Sequence, residues 1–120
     1  MIYKFGDCEL NTDLYALRRD GQCIHIRRKV YLLLNYLLEH RDRVVSKEDL
    51  CDSIWDGRHV SNTTIESTVM AARRALGDSG ETQRVIQTLP CYGYRFVLPL
   101  DAIQSSQEEG DIYRCLDTTD

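Results

Sequence analysis

The sequence predicts an α+β fold: a small antiparallel β-sheet at the N-terminus, three helices, and a C-terminal β-hairpin. Three observations carry this. Alternating apolar residues punctuated by turn clusters fill residues 2–26. Val30, Leu33, Leu34, Leu37 and Leu38 then recur at i, i+3, i+4, i+7 and i+8, the spacing of an amphipathic helix. Two apolar strands around Pro90-Cys91-Tyr92-Gly93 end the folded part as a hairpin.

The elements follow in order. Ile2 to Phe5 and Cys8 to Leu10 alternate, with Gly6-Asp7 between them and the turn cluster Asn11-Thr12-Asp13 after them. Leu14 to Arg19 leads into Asp20-Gly21, a dipeptide favoured in tight hairpins, and Gln22 to Ile26 returns. Such a sheet needs a cover for its apolar face. The helix expected over Arg28 to His40 supplies it. Arg27, Arg28 and Lys29 stand at its start, the unfavourable end for cations in the helix dipole, where simple solvation and a phosphate contact both fit. Ser46-Lys47-Glu48-Asp49 resembles a capping box and opens a second helix with Leu50, Cys51, Ile54 and Trp55 as core-facing positions, stopped by Gly57.

The third helix spans 61–77. Ser61 can cap its first turn, and Gly77 suits the left-handed residue that ends it. At 100° per residue, Ile65, Val69, Ala72 and Leu76 form a narrow apolar stripe, while Thr63, Ser67, Met70 and Arg74 lie opposite. Thr64 and Ala71 fall on one flank and Glu66 on the other. Two helices joined by a short Gly-containing turn are the helix-turn-helix signature, and the hairpin 85–97 directly after them is a wing. Residues 1–98 are thus expected to form one winged-helix domain. The polar, acidic stretch 99–120 reads as a linker or frayed tail, with Ile112-Tyr113 and Cys115-Leu116 able to add a short docked segment.

Composition narrows the function. The net charge of −4 opposes a nucleic-acid partner at first sight, but residues 98–120 alone carry −5, so the rest of the chain is near neutral at +1. A DNA-binding surface would have to come from local clustering. The longest apolar run, Val30 to Leu34, is far too short for a bilayer, and the N-terminus lacks signal-peptide character. A membrane link would need a further C-terminal segment. Five cysteines without a C-x-x-C pair argue against a disulfide framework and a structural zinc site, and suit a reducing cytoplasm. His25, His40 and His59 are dispersed, so no metal site is assigned. Local catalytic signatures are lacking, so the sequence is read as a non-enzyme without cofactor or small-molecule substrate.

The order of elements, with Arg43-Val44-Val45-Ser46-Lys47-Glu48-Asp49-Leu50, Ile54-Trp55, Val60-Ser61, Ala72-Arg73-Arg74-Ala75-Leu76-Gly77-Asp78 and Gly93-Tyr94-Arg95-Phe96-Val97, resembles the OmpR/PhoB-type winged-helix domain. The Trp55–Ser61 loop and the Gly77-Asp78 ending look most like regulators of the ToxR/CadC kind, in which this module opens a larger protein. The resemblance implies sequence-specific binding of double-stranded DNA in a bacterial transcriptional regulator, with helix 61–77 in the major groove and the wing at the adjacent minor groove. Carried over by position, Thr63, Thr64, Ser67, Met70, Ala71 and Arg74 face DNA, Thr68 and Arg73 flank phosphates, and Tyr92, Tyr94 and Arg95 belong to the wing contact. RNA polymerase and a second copy of the chain are the further partners the resemblance suggests.

Plainer roles fit several of these residues. Arg73-Arg74 also suits a solvated helix end, Arg95 an outward-pointing strand position, and Trp55 the core. Tyr92 fits a minor-groove wedge or a protein contact. The chain also departs from the family pattern: Met70, Ala71, Pro90, Cys91 and Tyr92 stand where cations are common. Because counterion release dominates affinity, this predicts weak, salt-sensitive binding by a monomer, strengthened by dimers or tandem sites. The alternative is a degenerate winged helix that acts as a protein–protein interaction module.

Overall fold

The structure, a computed structural model, describes residues 1–104. Four strands, β1 (Ile2–Phe5), β2 (Cys8–Asn11), β3 (Ala16–Arg19) and β4 (Gln22–Ile24), form an antiparallel meander. Asp20 and Gly21, at φ 54° and 77°, make the tight turn between β3 and β4, the left-handed pair that the dipeptide favours. Asn11 supplies the earlier turn, its Oδ1 accepting from the backbone N–H groups of Asp13 (3.0 Å) and Leu14 (3.1 Å).

The helices are α1 (Arg28–Glu39), α2 (Lys47–Ile54) and α3 (Asn62–Ala75). α1 lies at the centre, touching α2, α3 and the wing strand β6 (Gly93–Phe96). Its apolar stripe, Leu33, Leu34, Leu37 and Leu38, is fully buried with Phe5, Leu10, Leu17, Leu50, Ile65, Leu76 and Ile86. Each such side chain contributes about 1.5–3 kcal/mol through burial, so this shared core holds both sheets and all three helices together. Phe5 meets Phe96 edge-on at 5.1 Å, joining the N-terminal sheet to the wing.

Local signals set the helix ends. Ser46 Oγ accepts from Asp49 N–H at 3.0 Å, and the Asp49 carboxylate accepts from Ser46 N–H at 3.1 Å, so Asp49 completes the capping box. Those bonds and Arg43, 3.1 Å away, hold the Asp49 carboxyl below the usual range. Trp55 caps the C-terminus of α2 and, half-buried, packs against the core's edge, core-facing as expected but not enclosed.

The wing consists of β5 (Ile86–Leu89) and β6, paired antiparallel from Ile86–Phe96 to Leu89–Gly93. Val45 adds a bridge to β6: Val45 N–H donates to Tyr94 C=O at 2.8 Å, and Tyr94 N–H to Val45 C=O at 2.9 Å. This approach explains Gly93, where φ is +143° and a Cβ would stand 2.0 Å from the Val45 carbonyl oxygen. Only glycine fits.

One strand falls beyond the expected end of the domain at residue 98. β7 (Ala102–Gln104) pairs antiparallel with β1, matching Tyr3 to Ile103, and completes a sheet of order β4-β3-β2-β1-β7. The start of the expected tail is therefore part of the sheet. The rest, with the docked segment expected around Ile112 to Leu116, lies outside the described residues.

Candidate nucleic-acid interface

α3 is capped at both ends. Ser61 Oγ accepts from Thr64 N–H (3.2 Å) and is also 3.1 Å from Thr64 Oγ1. At the other end Gly77, at φ 76°, lets Asp78 N–H reach Arg73 C=O (2.8 Å) and its own N–H reach Arg74 C=O (3.2 Å), a Schellman closure. Arg19 from β3 adds a cation there, donating to Ala75 C=O at 3.0 Å, where the dipole favours it.

Between these caps the helix is two-faced. Ile65, Val69, Ala72 and Leu76 are buried to within 1%. Thr63, Thr64, Ser67, Met70 and Arg74 are exposed, with Met70 at 54%, and Thr68 and Ala71 are half-buried beside them. Thr68 Oγ1 donates to Thr64 C=O at 2.9 Å, so that hydroxyl is partly committed to its own helix. The exposed stripe holds one cation, Arg74.

The two flanks of α3 differ. The wing covers Arg73, while Glu66 on the same flank stays exposed. Arg73 is buried at 6% exposure: Nε and Nη2 both donate to Ile86 C=O (3.2 and 3.0 Å), and Nη2 to Thr88 Oγ1 (2.7 Å). Tyr94 is 3% exposed; burial, then the nearby Glu66 carboxylate, push its hydroxyl pKa up against the opposing pull of Arg73. The expected DNA contacts at Arg73 and Tyr94 are thus corrected. Both side chains pack the wing against α3 and are withdrawn from solvent.

Asp78, noted in the sequence only as part of the Gly77-Asp78 ending and given no role there, completes that attachment. Its carboxylate accepts from the N–H groups of Arg84 (2.8 Å), Val85 (2.8 Å) and Ile86 (3.2 Å) and from Thr82 Oγ1 (2.8 Å). Burial alone would raise its pKa, but the donors prevail and hold it well below the usual carboxylate range. A Gly-Asp pair after a helix, followed by a polar loop and a strand, is the signal that could have pointed to it.

On the opposite flank Thr64, Ser67, Thr68, Ala71 and Arg74 line one wall of an open groove of about 980 Å3. Its other wall is the chain from Ile24 to Val30, with Trp55. At the wing tip Tyr92 is 73% exposed, and Arg95 on β6 points to solvent.

Fold and site together define a winged helix-turn-helix with a solvent-facing third helix and a wing clamped to its side. Residues 21–96 match the family described as "Transcriptional regulatory protein, C terminal", and the chain belongs to that family. It is similar to the transcriptional activator CadC of Escherichia coli, 26% identical over 111 residues that cover 92% of this chain and 21% of CadC. It is also similar to the transcriptional regulator HilA of Salmonella typhi, 36% identical over 98 residues that cover 82% of this chain and 17% of HilA. The chain thus spans about a fifth of the length of these curated relatives. Among solved structures, it resembles the response regulator DrrB, a Thermotoga maritima OmpR/PhoB homolog, with TM-score 0.72 and 28% identity, covering 79% of this chain and 43% of that one. The likeness to the Klebsiella pneumoniae RstA DNA-binding domain in complex with the RstA box is one of fold, with TM-score 0.72 and 16% identity, covering 79% of this chain and 95% of that one.

Proposed function

We propose that this chain is the DNA-binding module of a bacterial transcriptional regulator, working in the cytoplasm without catalysis of its own. α3 enters the major groove and presents Thr63, Thr64, Ser67, Met70 and Arg74. The tip of the wing, with Tyr92 and Arg95, meets the adjacent minor groove. The single observation that carries this reading is the two-faced α3, sealed against the core on one stripe and bare on the other between two fixed ends. Family membership supports it, as does the RstA domain, solved in complex with the RstA box.

The bare face is short, polar and nearly uncharged, so affinity comes from few phosphate contacts. Ser67 can bond a base edge and Met70 can meet a thymine methyl, but neither matches a bidentate Arg–guanine pair, worth about 1–3 kcal/mol. Anisotropy of a labelled random-sequence duplex should therefore show binding at about 50 mM salt that weakens with a log–log slope of about −2 to −4, shallower than that of proteins with six to ten phosphate contacts. Absence of binding at that salt would overturn the proposal. It would favour the protein-interaction reading, for which the exposed Tyr92, in a tip without cations, is the specific observation.

A further inference from the structure

An α-helix with its side chains is about 10–12 Å across, and the major groove of B-DNA is about 12 Å wide. A helix seated there fills the groove, so the two sugar–phosphate strands that border it must ride on whatever flanks the helix. On one side of α3 that is the wing. On the other it is the groove between α3 and the Ile24–Val30 segment.

Charge sorts itself in that groove. Arg27 and Lys29 line one wall and Arg74 the other, and no carboxylate lines either, although the chain holds 19 acidic residues against 15 basic ones. The two cations of the far wall are not equivalent. Lys29 Nζ donates to Ile54 C=O at 3.0 Å and lies 6.0 Å from the Trp55 ring centroid, so it holds the end of α2 against α1. Arg27 is exposed, and among the described residues no hydrogen bond or ion pair engages its guanidinium. It is the N-cap of α1, with φ −75° and ψ 159°, so a fixed backbone carries an uncommitted cation.

We propose that this groove seats one phosphodiester strand of the bound duplex, held between Arg27 on one wall and Arg74 on the other. The inference rests on the reading of α3 as a major-groove helix and adds a contact on a different element, before the helix-turn-helix begins. Phosphate contacts set register and orientation but carry no sequence information. Arg27 thus fixes how α3 sits and leaves the choice of bases to the helix.

The test uses the full chain and a labelled random-sequence duplex, titrated between about 50 and 200 mM salt. Arg27→Gln should lower affinity at every salt concentration and reduce the log–log slope by about 0.9, the value of one phosphate contact. Arg27→Lys should retain most of the slope. Lys4→Gln, which removes a cation from the N-terminal sheet, should change nothing. Among the described residues the Arg27 side chain makes no hydrogen bond or ion pair, and the backbone bond from Tyr31 N–H to Arg27 C=O survives the substitution, so the thermal midpoint of Arg27→Gln should equal that of the wild type, separating a binding defect from a folding one. A wild-type chain that binds, with Arg27→Gln unchanged in slope and affinity, would overturn the seat while leaving the α3 reading intact, and the groove would then fit a protein partner better. A wild-type chain that does not bind at about 50 mM salt overturns both.

Discussion

Arg73 and Arg74 are neighbours in sequence and identical in chemistry, yet they sit on opposite flanks of α3 with opposite fates. Arg73 is buried and donates three hydrogen bonds to β5, whereas Arg74 is exposed and lines the open groove. The wing flank holds charged groups bonded within the chain, with Asp78 gathering four donors and Arg73 supplying three bonds. The groove flank keeps two of its cations, Arg74 and Arg27, outward, while Lys29 is bonded to Ile54 C=O. A charge in this domain therefore cannot be read as a nucleic-acid contact from its type or its position in a basic pair. What decides is whether another part of the chain already satisfies it.

The comparison breaks hardest at Gly93. Gly93→Ala forces a Cβ into the Val45 carbonyl, and neither backbone can yield without undoing the bridge between them. The expected loss is about 3 kcal/mol or more, at the upper end for single substitutions, measured by denaturant unfolding. A loss below about 1 kcal/mol would show that the wing root is looser than described.

Arg73→Ala comes next. It leaves Ile86 C=O and Thr88 Oγ1 without their buried donor, which costs about 1–3 kcal/mol and lowers the melting temperature by roughly 10 °C. Arg74→Ala should stay within about 0.5 kcal/mol of wild type in stability, as surface substitutions do, yet flatten the salt dependence of DNA binding by about 0.9 in log–log slope. If the two variants exchanged these phenotypes, the assignment of the flanks would be wrong.

Acid sharpens the same contrast. The Asp78 carboxyl has its pKa depressed in the folded state, so its contribution is fully present above the unfolded value, about 3.9, and is lost as pH falls from there toward the folded one. Asp78→Asn should remove that part of the pH dependence and destabilise the wild-type fold at neutral pH. Equal acid-unfolding profiles would deny Asp78 its role. The smallest effect belongs to the chain beyond Gln104, whose acidic residues outnumber its single arginine. Truncation after Gln104 should raise affinity for duplex DNA slightly at low salt, and a fall in affinity would contradict this.

Where the sequence was legible, the information lay within a few residues. The capping box at Ser46 and Asp49, the four-residue stripe from Ile65 to Leu76 and the Asp20-Gly21 turn each depend on neighbours inside one or two turns of chain. That Thr63, Thr64, Ser67, Met70 and Arg74 lie away from the core stripe followed from helical phase, and those side chains are exposed; their contact with DNA was implied by the family resemblance. Arg73 was not legible, because its partners on β5 are 13 or more residues away and no periodicity reports them; for Tyr94 the alternation that turns Arg95 outward already turned it inward, against the contact carried over from the resemblance. β7 was hidden for a related reason. Three residues in an acidic stretch carry no strand pattern of their own, and they become a strand only because β1 offers an edge.

That edge has a practical consequence. In the five-stranded sheet, β7 occupies the row of backbone donors and acceptors along the outer side of β1. A chain cut at residue 100 would bare that row beside Tyr3, a template for sticking to any other extended polypeptide. Preparations ending there are expected to self-associate through strand addition more readily than preparations that keep residues 101–104.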